Sequence, residues 1–215
     1  MGGDKAPEVV IQGAERALED NPNLELILVG DQDQMKPLLK KTRLLKNVVR
    51  IIHTDEAVDP TAKVSQALRS GKNTSMWKAI ELVNNGEADA VVSAGNTGAL
   101  MAISKLQLRM IEGVTRPAIA SFVPTQNGRS CILDLGANLE CDEHNLVQFA
   151  IMGSAFSRFL QNIDRPTVGL LNVGEEDQKG FNYLRAAAET LRRDDLPVNY
   201  VGFVEGSDFS SGTVD

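Results

Sequence analysis

Three polar, glycine-bearing turns hold the residues best suited to chemistry: Ser93-Ala94-Gly95-Asn96-Thr97-Gly98, Asp134-Leu135-Gly136-Ala137-Asn138, and Asn172-Val173-Gly174-Glu175-Glu176. Each follows an apolar, strand-like run, Val91-Val92, Ile132-Leu133 and Leu170-Leu171. In an open parallel α/β sheet the carboxyl ends of the strands share one edge, so such turns are expected to converge on one ligand there. The first turn runs straight into a helical pattern, where free backbone N–H groups favour an anion. Its two glycines permit close backbone approach, and Asn96 or Thr97 can cap the helix or hydrogen-bond an oxygen ligand. An ordinary capped strand-to-helix turn accounts for the same residues.

The other two turns are also open to two readings. Asp134, Gly136 and Asn138 can reach the same sheet edge, yet Asp134 reads equally as a holder of neighbouring backbone and Asn138 as a left-handed turn residue. Glu175 and Glu176 repel a phosphate unless a cation or proton intervenes, and Lys179 is the nearest candidate cation. The Glu pair with Asp177 also suits Mg²⁺, a hard ion that takes oxygen ligands. A solvated acidic helix start explains Glu176 and Asp177 as well, and nothing else in the chain supports a metal.

Further candidates are weaker. Arg69, Lys72, Thr74 and Ser75 precede a helix and suit a phosphate or an acidic partner, with Ser75 as the alternative N-cap. Gly71-Lys72 fails as a nucleotide-binding loop, because Gln66 stands where that pattern needs glycine and Asn73 where it needs Ser or Thr. No Gly-x-Gly-x-x-Gly follows any strand either. Cys131 lies in an apolar strand and reads as core. Cys141, three residues before His144, could be activated by the imidazole, but Asp142 and Glu143 oppose a thiolate. His53 ends an apolar strand and reads as structural.

Elements that position these turns follow from the apolar pattern. Helix and strand signals alternate, which predicts an α/β fold with a mostly parallel, helix-covered sheet. Helices are expected at Pro7 to Asp20, through a short stretch interrupted by Pro37, around Met76 to Val83 with Gly86 as the C-cap glycine, at Thr97 to Met110, Glu143 to Leu160 and Phe181 to Arg193. Strands are expected at Leu24 to Val29, Val48 to His53, Ala90 to Ser93, Ala118 to Val123, Ser130 to Leu135, Thr167 to Asn172 and Asn199 to Val204, with Asn127-Gly128 turning a hairpin. Residues 55–74 give no clear signal. No linker or repeat marks an internal boundary, so residues 1–215 read as a single α/β domain. The opening Gly-Gly turn and the closing Thr213-Val214-Asp215, where another strand is about to begin, suggest a domain truncated at both ends.

Composition narrows the function classes. The 215 residues are 42% hydrophobic and 24% charged, enough for a sizeable core. A net charge of −7 disfavours a general nucleic-acid binder, so an anion site must be local. No run of roughly 18 apolar residues and no leader pattern is present, which predicts a cytoplasmic address. Two cysteines without Cys-x-x-Cys spacing predict reduced thiols.

Taken in order, several blocks resemble one family over essentially the whole chain. They are Met1-Gly2-Gly3-Asp4, Ser93 to Met101, Leu133 to Asn138, Gln148 to Gly153, Leu171 to Glu176 with Lys179-Gly180, and Gly202 to Gly206. Together they resemble the bacterial phosphate acyltransferase of phospholipid synthesis. The resemblance implies transfer of a fatty acyl group from acyl carrier protein to inorganic phosphate, giving acyl phosphate for a membrane glycerol-3-phosphate acyltransferase. It implies a three-layer α/β/α sandwich related to phosphotransacetylases and isocitrate-dehydrogenase-like folds, a homodimer, no cofactor and peripheral membrane contact without a span. The family has a strand before Met-Gly-Gly-Asp and continues past Gly-Thr-Val-Asp, and this chain lacks both.

On that reading a bound phosphate oxygen attacks the thioester carbonyl directly, with positioning rather than a protein nucleophile doing most of the work. Asn96, Glu175 and Lys179 are the expected catalytic residues. Gly3, Asp4, Ser93, Gly95, Thr97, Gly98, Asp134, Gly136, Asn138, Asn172 and Gly174 are expected to bind phosphate or substrate. Arg69, Lys72, Arg109 and Arg116 are expected to dock the acidic carrier protein. The rival readings are a phosphotransacetylase acting on short acyl-CoA and a non-catalytic fragment that retains only binding.

Overall fold

Helix α1 (Glu8–Asp20) starts directly after Pro7, whose fixed φ suits a helix entrance, and stops at Asn21, whose N–H closes onto the Ala17 carbonyl at 2.9 Å. The computed structural model describes residues 1–174 and 180–215. They group into two units, Met1–Arg109 and Met110–Asp215.

In the first unit, β1 (Ile27–Gly30) and β2 (Arg50–His53) run parallel, with Gly30 opposite His53 at their carboxyl ends. Helix α2 (Gln32–Leu39) makes the crossover that a parallel pair requires. Asp31 starts it by accepting the N–H groups of Asp33 and Gln34. The helix carries on through Pro37 to Leu39 rather than breaking there. Ile11, Leu28, Met35, Leu39 and Leu45 form the core between these elements.

The stretch that the sequence left open contains α3 (Val64–Ser70) and a 3₁₀ turn, Gly71–Asn73. It leads into α4 (Ser75–Asn84), which ends beside a left-handed Gly86 at φ 73°. Thr74, not Ser75, is the N-cap, its hydroxyl accepting the Trp77 N–H. The next helix, α5 (Thr97–Leu108), packs on α3 and α4. A second core joins them through Val58, Ala67, Met76, Ile80, Ala99 and Ile103. Ile80 and Ile103 have no solvent exposure, and each contributes about 1.5–3 kcal/mol by burial. Residues 90–93, expected as a strand, carry no ladder pairing among the described residues. Val91 packs into this core while Val92 is 97% exposed.

In the second unit, β3 (Ser121–Thr125) and β4 (Gly128–Ile132) form an antiparallel hairpin. Its two-residue loop is Gln126-Asn127, and Gly128 opens β4 opposite Thr125. Helix α6 (Glu143–Gln161) begins with a reciprocal cap: the Asp142 carboxylate accepts the Asn145 N–H, and the Asn145 side chain accepts the Asp142 N–H. Strands β5 (Thr167–Leu171) and β6 (Asn199–Val204) are parallel and joined through α7 (Asn182–Leu191). Val147, Ala150, Leu170, Ala187, Ala188, Leu191 and Phe203 form their core. A short α8 (Gly206–Ser211), absent from the sequence expectation, packs on β3.

Candidate functional site

The first glycine turn lies within the first unit, and the opening residues of the chain are laid across it. Ser75 Oγ donates to the Met1 carbonyl at 2.8 Å, and the Met1 nitrogen donates to the Val29 carbonyl at 3.1 Å, at the end of β1. Gly2 and Gly3 then meet Ser93, Ala94 and Gly95 nearly backbone to backbone. A Cβ on Gly3 would lie 2.8 Å from the Ala94 carbonyl oxygen, and Gly3 sits at φ 90°, so glycine is required there twice over. Ser93 Oγ accepts the Gly95 N–H at 3.2 Å. The structure thus brings Gly3, Ser93 and Gly95 together, with Asp4 exposed beside them.

Asn96 caps α5, its Oδ1 accepting the Ala99 N–H at 2.9 Å. Its Nδ2 donates to the carbonyls of Pro60 at 3.0 Å and Ala62 at 3.1 Å. The side chain is therefore committed at both ends, and substrate chemistry by Asn96 would have to displace a structural bond. The N–H groups of Thr97 and Gly98, by contrast, donate to no described residue, as expected of the first turn of a helix. Thr97 is exposed. Gly98 allows close packing, because a Cβ there would lie 3.0 Å from Val64 Cγ2. What the turn offers chemically is a pair of backbone donors at the positive end of a 12-residue helix.

The second turn, in the second unit, is organised by Asp134. Its carboxylate accepts the N–H groups of Ile119 at 2.7 Å, Asn138 at 2.8 Å and Ala137 at 3.2 Å, and Asn138 Nδ2 at 3.0 Å. Partial burial works to raise its pKa, but the hydrogen bonds from Ile119, Asn138 and Ala137 together outweigh it and hold the carboxyl below its ordinary value. Asn138 also donates to the Pro117 carbonyl at 2.9 Å. Asp134 accordingly folds the loop around itself, with Gly136 at φ 84°, and Asn138 does so without a left-handed backbone.

In the third turn, the Asn172 N–H donates to the Val204 carbonyl at 2.9 Å, and its Nδ2 donates to the Gly174 carbonyl at 3.0 Å. Gly180 is pressed against the Asn172 side chain. Glu175 and Lys179, with Glu176 and Asp177, lie outside the described residues.

The basic candidates are exposed. Arg69 closes α3, and Lys72 follows in the 3₁₀ turn. Arg109 comes after α5, about 18 Å along that helix from its Asn96 cap. Arg116, in the second unit, donates to the Glu140 carbonyl at 2.8 Å. Among the described residues no cluster of His, Cys, Asp or Glu could hold a metal ion.

The thiols are poor nucleophiles. Burial pushes Cys131 up. Cys141 is pushed up by burial and by Asp134 and Asp142, with Arg116 pulling the other way. His144 is engaged with Gln148, the two side-chain nitrogens 2.9 Å apart.

Two features escaped sequence reasoning: the Ser75–Met1 link and the carbonyls of Pro60 and Ala62 on Asn96. Only Asp59-Pro60-Thr61, a turn signature, hinted that the second of these segments was ordered.

Comparison with known proteins adds an independent line. The family model described as "Fatty acid synthesis protein" matches residues 1–215. The chain is 55% identical over 215 residues to the phosphate acyltransferase of Rhodospirillum centenum. It is 49% identical over 215 residues to that of Paramagnetospirillum magneticum, and 52% over 216 residues to that of Parvibaculum lavamentivorans. Each match covers 100% of this chain but only 60–61% of the relative, so the chain spans about three-fifths of the length of the curated relatives it matches. Among solved structures it is similar to the EutD phosphotransacetylase from Staphylococcus aureus. The TM-score is 0.66 at 18% identity, over 97% of this chain and 71% of that one. That likeness shows the fold: an α/β fold of the phosphotransacetylase kind, as the alternating helix and strand signals and the resemblance implied.

Proposed function

The chain belongs to the fatty acid synthesis protein family, and from that premise we propose that this protein transfers a fatty acyl group from the thioester of an acyl carrier protein to inorganic phosphate. An oxygen of phosphate attacks the thioester carbonyl carbon, the carbon–sulfur bond breaks, and the carrier thiolate leaves and takes up a proton. Acyl phosphate is the product, used in phospholipid synthesis.

The observation that carries the reading is the start of α5. The N–H groups of Thr97 and Gly98 donate to no described residue, and they follow a turn in which Gly95 lies close against the Gly2 backbone. That terminus suits a phosphate or the developing oxyanion, with the Thr97 hydroxyl as a further donor. Asn172 and Gly174 are assigned to the thioester end, and Glu175 and Lys179 are the charged groups of the reaction. The acidic carrier protein docks on Arg69 and Lys72, with Arg109 and Arg116 as further basic contacts. A homodimer, peripheral membrane contact and delivery of acyl phosphate to a membrane glycerol-3-phosphate acyltransferase complete the reading. Among the described residues no helix is long and apolar enough to cross a membrane.

The test is to incubate the protein with long-chain acyl carrier protein and phosphate and trap acyl phosphate with hydroxylamine. Phosphate-dependent product is expected, weakening as salt screens carrier docking. Product that forms without phosphate, or equal turnover with short acyl-CoA, refutes the reading.

A further inference from the structure

The segment between β2 and α3 is pinned at both ends and mostly exposed in the middle. Val58, 8% exposed, packs in the core shared with Ala99 and Ile103, and Val64 lies against Gly98. Between these pins Asp59, Pro60, Thr61 and Lys63 are exposed, while Ala62 is half-buried against that core. Asp59 shapes this middle: its Oδ1 accepts the Thr61 N–H at 2.7 Å and the Thr61 hydroxyl at 2.6 Å, and its carbonyl accepts the Ala62 N–H at 3.0 Å.

Besides the Ala62 contact, what ties the middle down is Asn96. Both of its Nδ2 bonds go to this segment, while its Oδ1 caps α5. Ser or Asp serves as well as Asn in the cap alone. Only a side chain with an acceptor and a two-proton donor on one short stem performs both tasks.

We propose that residues 59–62 form a strap latched by Asn96 across the first turn of α5, and that Asn96 is a positioning residue which fixes that turn through the strap rather than a group that touches substrate. The consequence for phosphate rests on the function proposed above. The strap borders the helix start that takes the anion, so releasing it loosens phosphate binding more than it slows the chemical step.

Asn96→Ser separates the two tasks, because its hydroxyl keeps the cap and lacks the paired donors. Asn96→Ala removes both tasks. Asp59→Ala loosens the strap without touching α5. Hydrogen exchange is measured on the chain, folded, in all four forms. In Asn96→Ser and Asp59→Ala the amides of Thr61 and Ala62 exchange roughly tenfold faster or more, as expected for losing one or two net hydrogen bonds, while those of Leu100 to Ile103 keep their rates. In Asn96→Ala both groups speed up. Unchanged strap exchange in Asn96→Ser, or loss of α5 protection equal to that in Asn96→Ala, overturns the latch.

The positioning role has its own readout in the hydroxylamine assay. In Asn96→Ser and Asp59→Ala the loss falls on KM for inorganic phosphate, severalfold, rather than on kcat. A fall in kcat at unchanged KM makes Asn96 a catalytic residue and refutes the proposal. If the unaltered protein shows no phosphate-dependent turnover, the functional reading falls, and the exchange rates decide the latch alone.

Discussion

Replacing Asp134 by alanine withdraws one acceptor from four donors at once: the N–H groups of Ile119, Ala137 and Asn138, and the Asn138 amide. Hydrogen bonds to a charged group contribute about 1.5–3 kcal/mol each when well shielded. This carboxylate is only partly buried, so water replaces some of each bond, and about 1 kcal/mol per bond is the appropriate scale. The expected loss is about 3–4 kcal/mol, or roughly 6–16 °C in Tm for a chain of this size. The pH dependence has a definite sign. The folded pKa of Asp134 is held below its unfolded value, so its contribution is fully present above about pH 4 and is lost as pH falls through the folded pKa. Thermal unfolding of the unaltered protein and of Asp134→Ala, followed between pH 3 and pH 7, should give curves that converge toward the acid end. A variant within about 1 °C of the parent at pH 7, or a gap that persists undiminished at pH 3, refutes the role of Asp134 as the organiser of this loop.

Three other outcomes follow from named contacts. Gln148→Leu should cost about 2–4 kcal/mol in urea unfolding, because buried Gln148 accepts from the Thr115 N–H and hydroxyl and donates to the Gly113 carbonyl. Gly3→Ala should cost about 2–3 kcal/mol in the same measurement, because it puts a side chain at φ 90° and a methyl group 2.8 Å from the Ala94 carbonyl oxygen. Cys141 should react with iodoacetamide more slowly at pH 8 than a free cysteine, with a rate still rising at pH values where the free thiol has levelled off. Arg116→Ala should slow it further, since the Arg116 charge works to lower this pKa.

Much of the local architecture was legible from neighbouring residues. Asn96, read as a possible cap, does cap its helix, through a bond that reaches only three positions along the chain. For the same reason α1, α6 and β6 lie close to where apolar spacing put them. The strand expected at residues 90–93 shows the limit of that reasoning. An apolar run specifies burial, but a strand also needs a hydrogen-bonded neighbour, and only Val91 of this run enters a core. The Gln126-Asn127 hairpin loop was misplaced by one residue, because the glycine signal marks Gly128 at φ 124° equally well as the first residue of the strand.

By itself the sequence determined the α/β character and the family, because each depends on local chemistry or on the order of short blocks along the chain. Tertiary structure decided what the polar residues of the turns do. Asn96 reaches Pro60 and Ala62 across more than thirty positions, with |i−j| of 36 and 34. Asp134 reaches Ile119 across 15, and Ser75 reaches Met1 across 74. A carboxylate or an amide in a glycine turn has the same chemistry whether it faces a ligand or a distant backbone. Which one it meets is fixed only when the chain closes and brings those distant carbonyls and N–H groups to it.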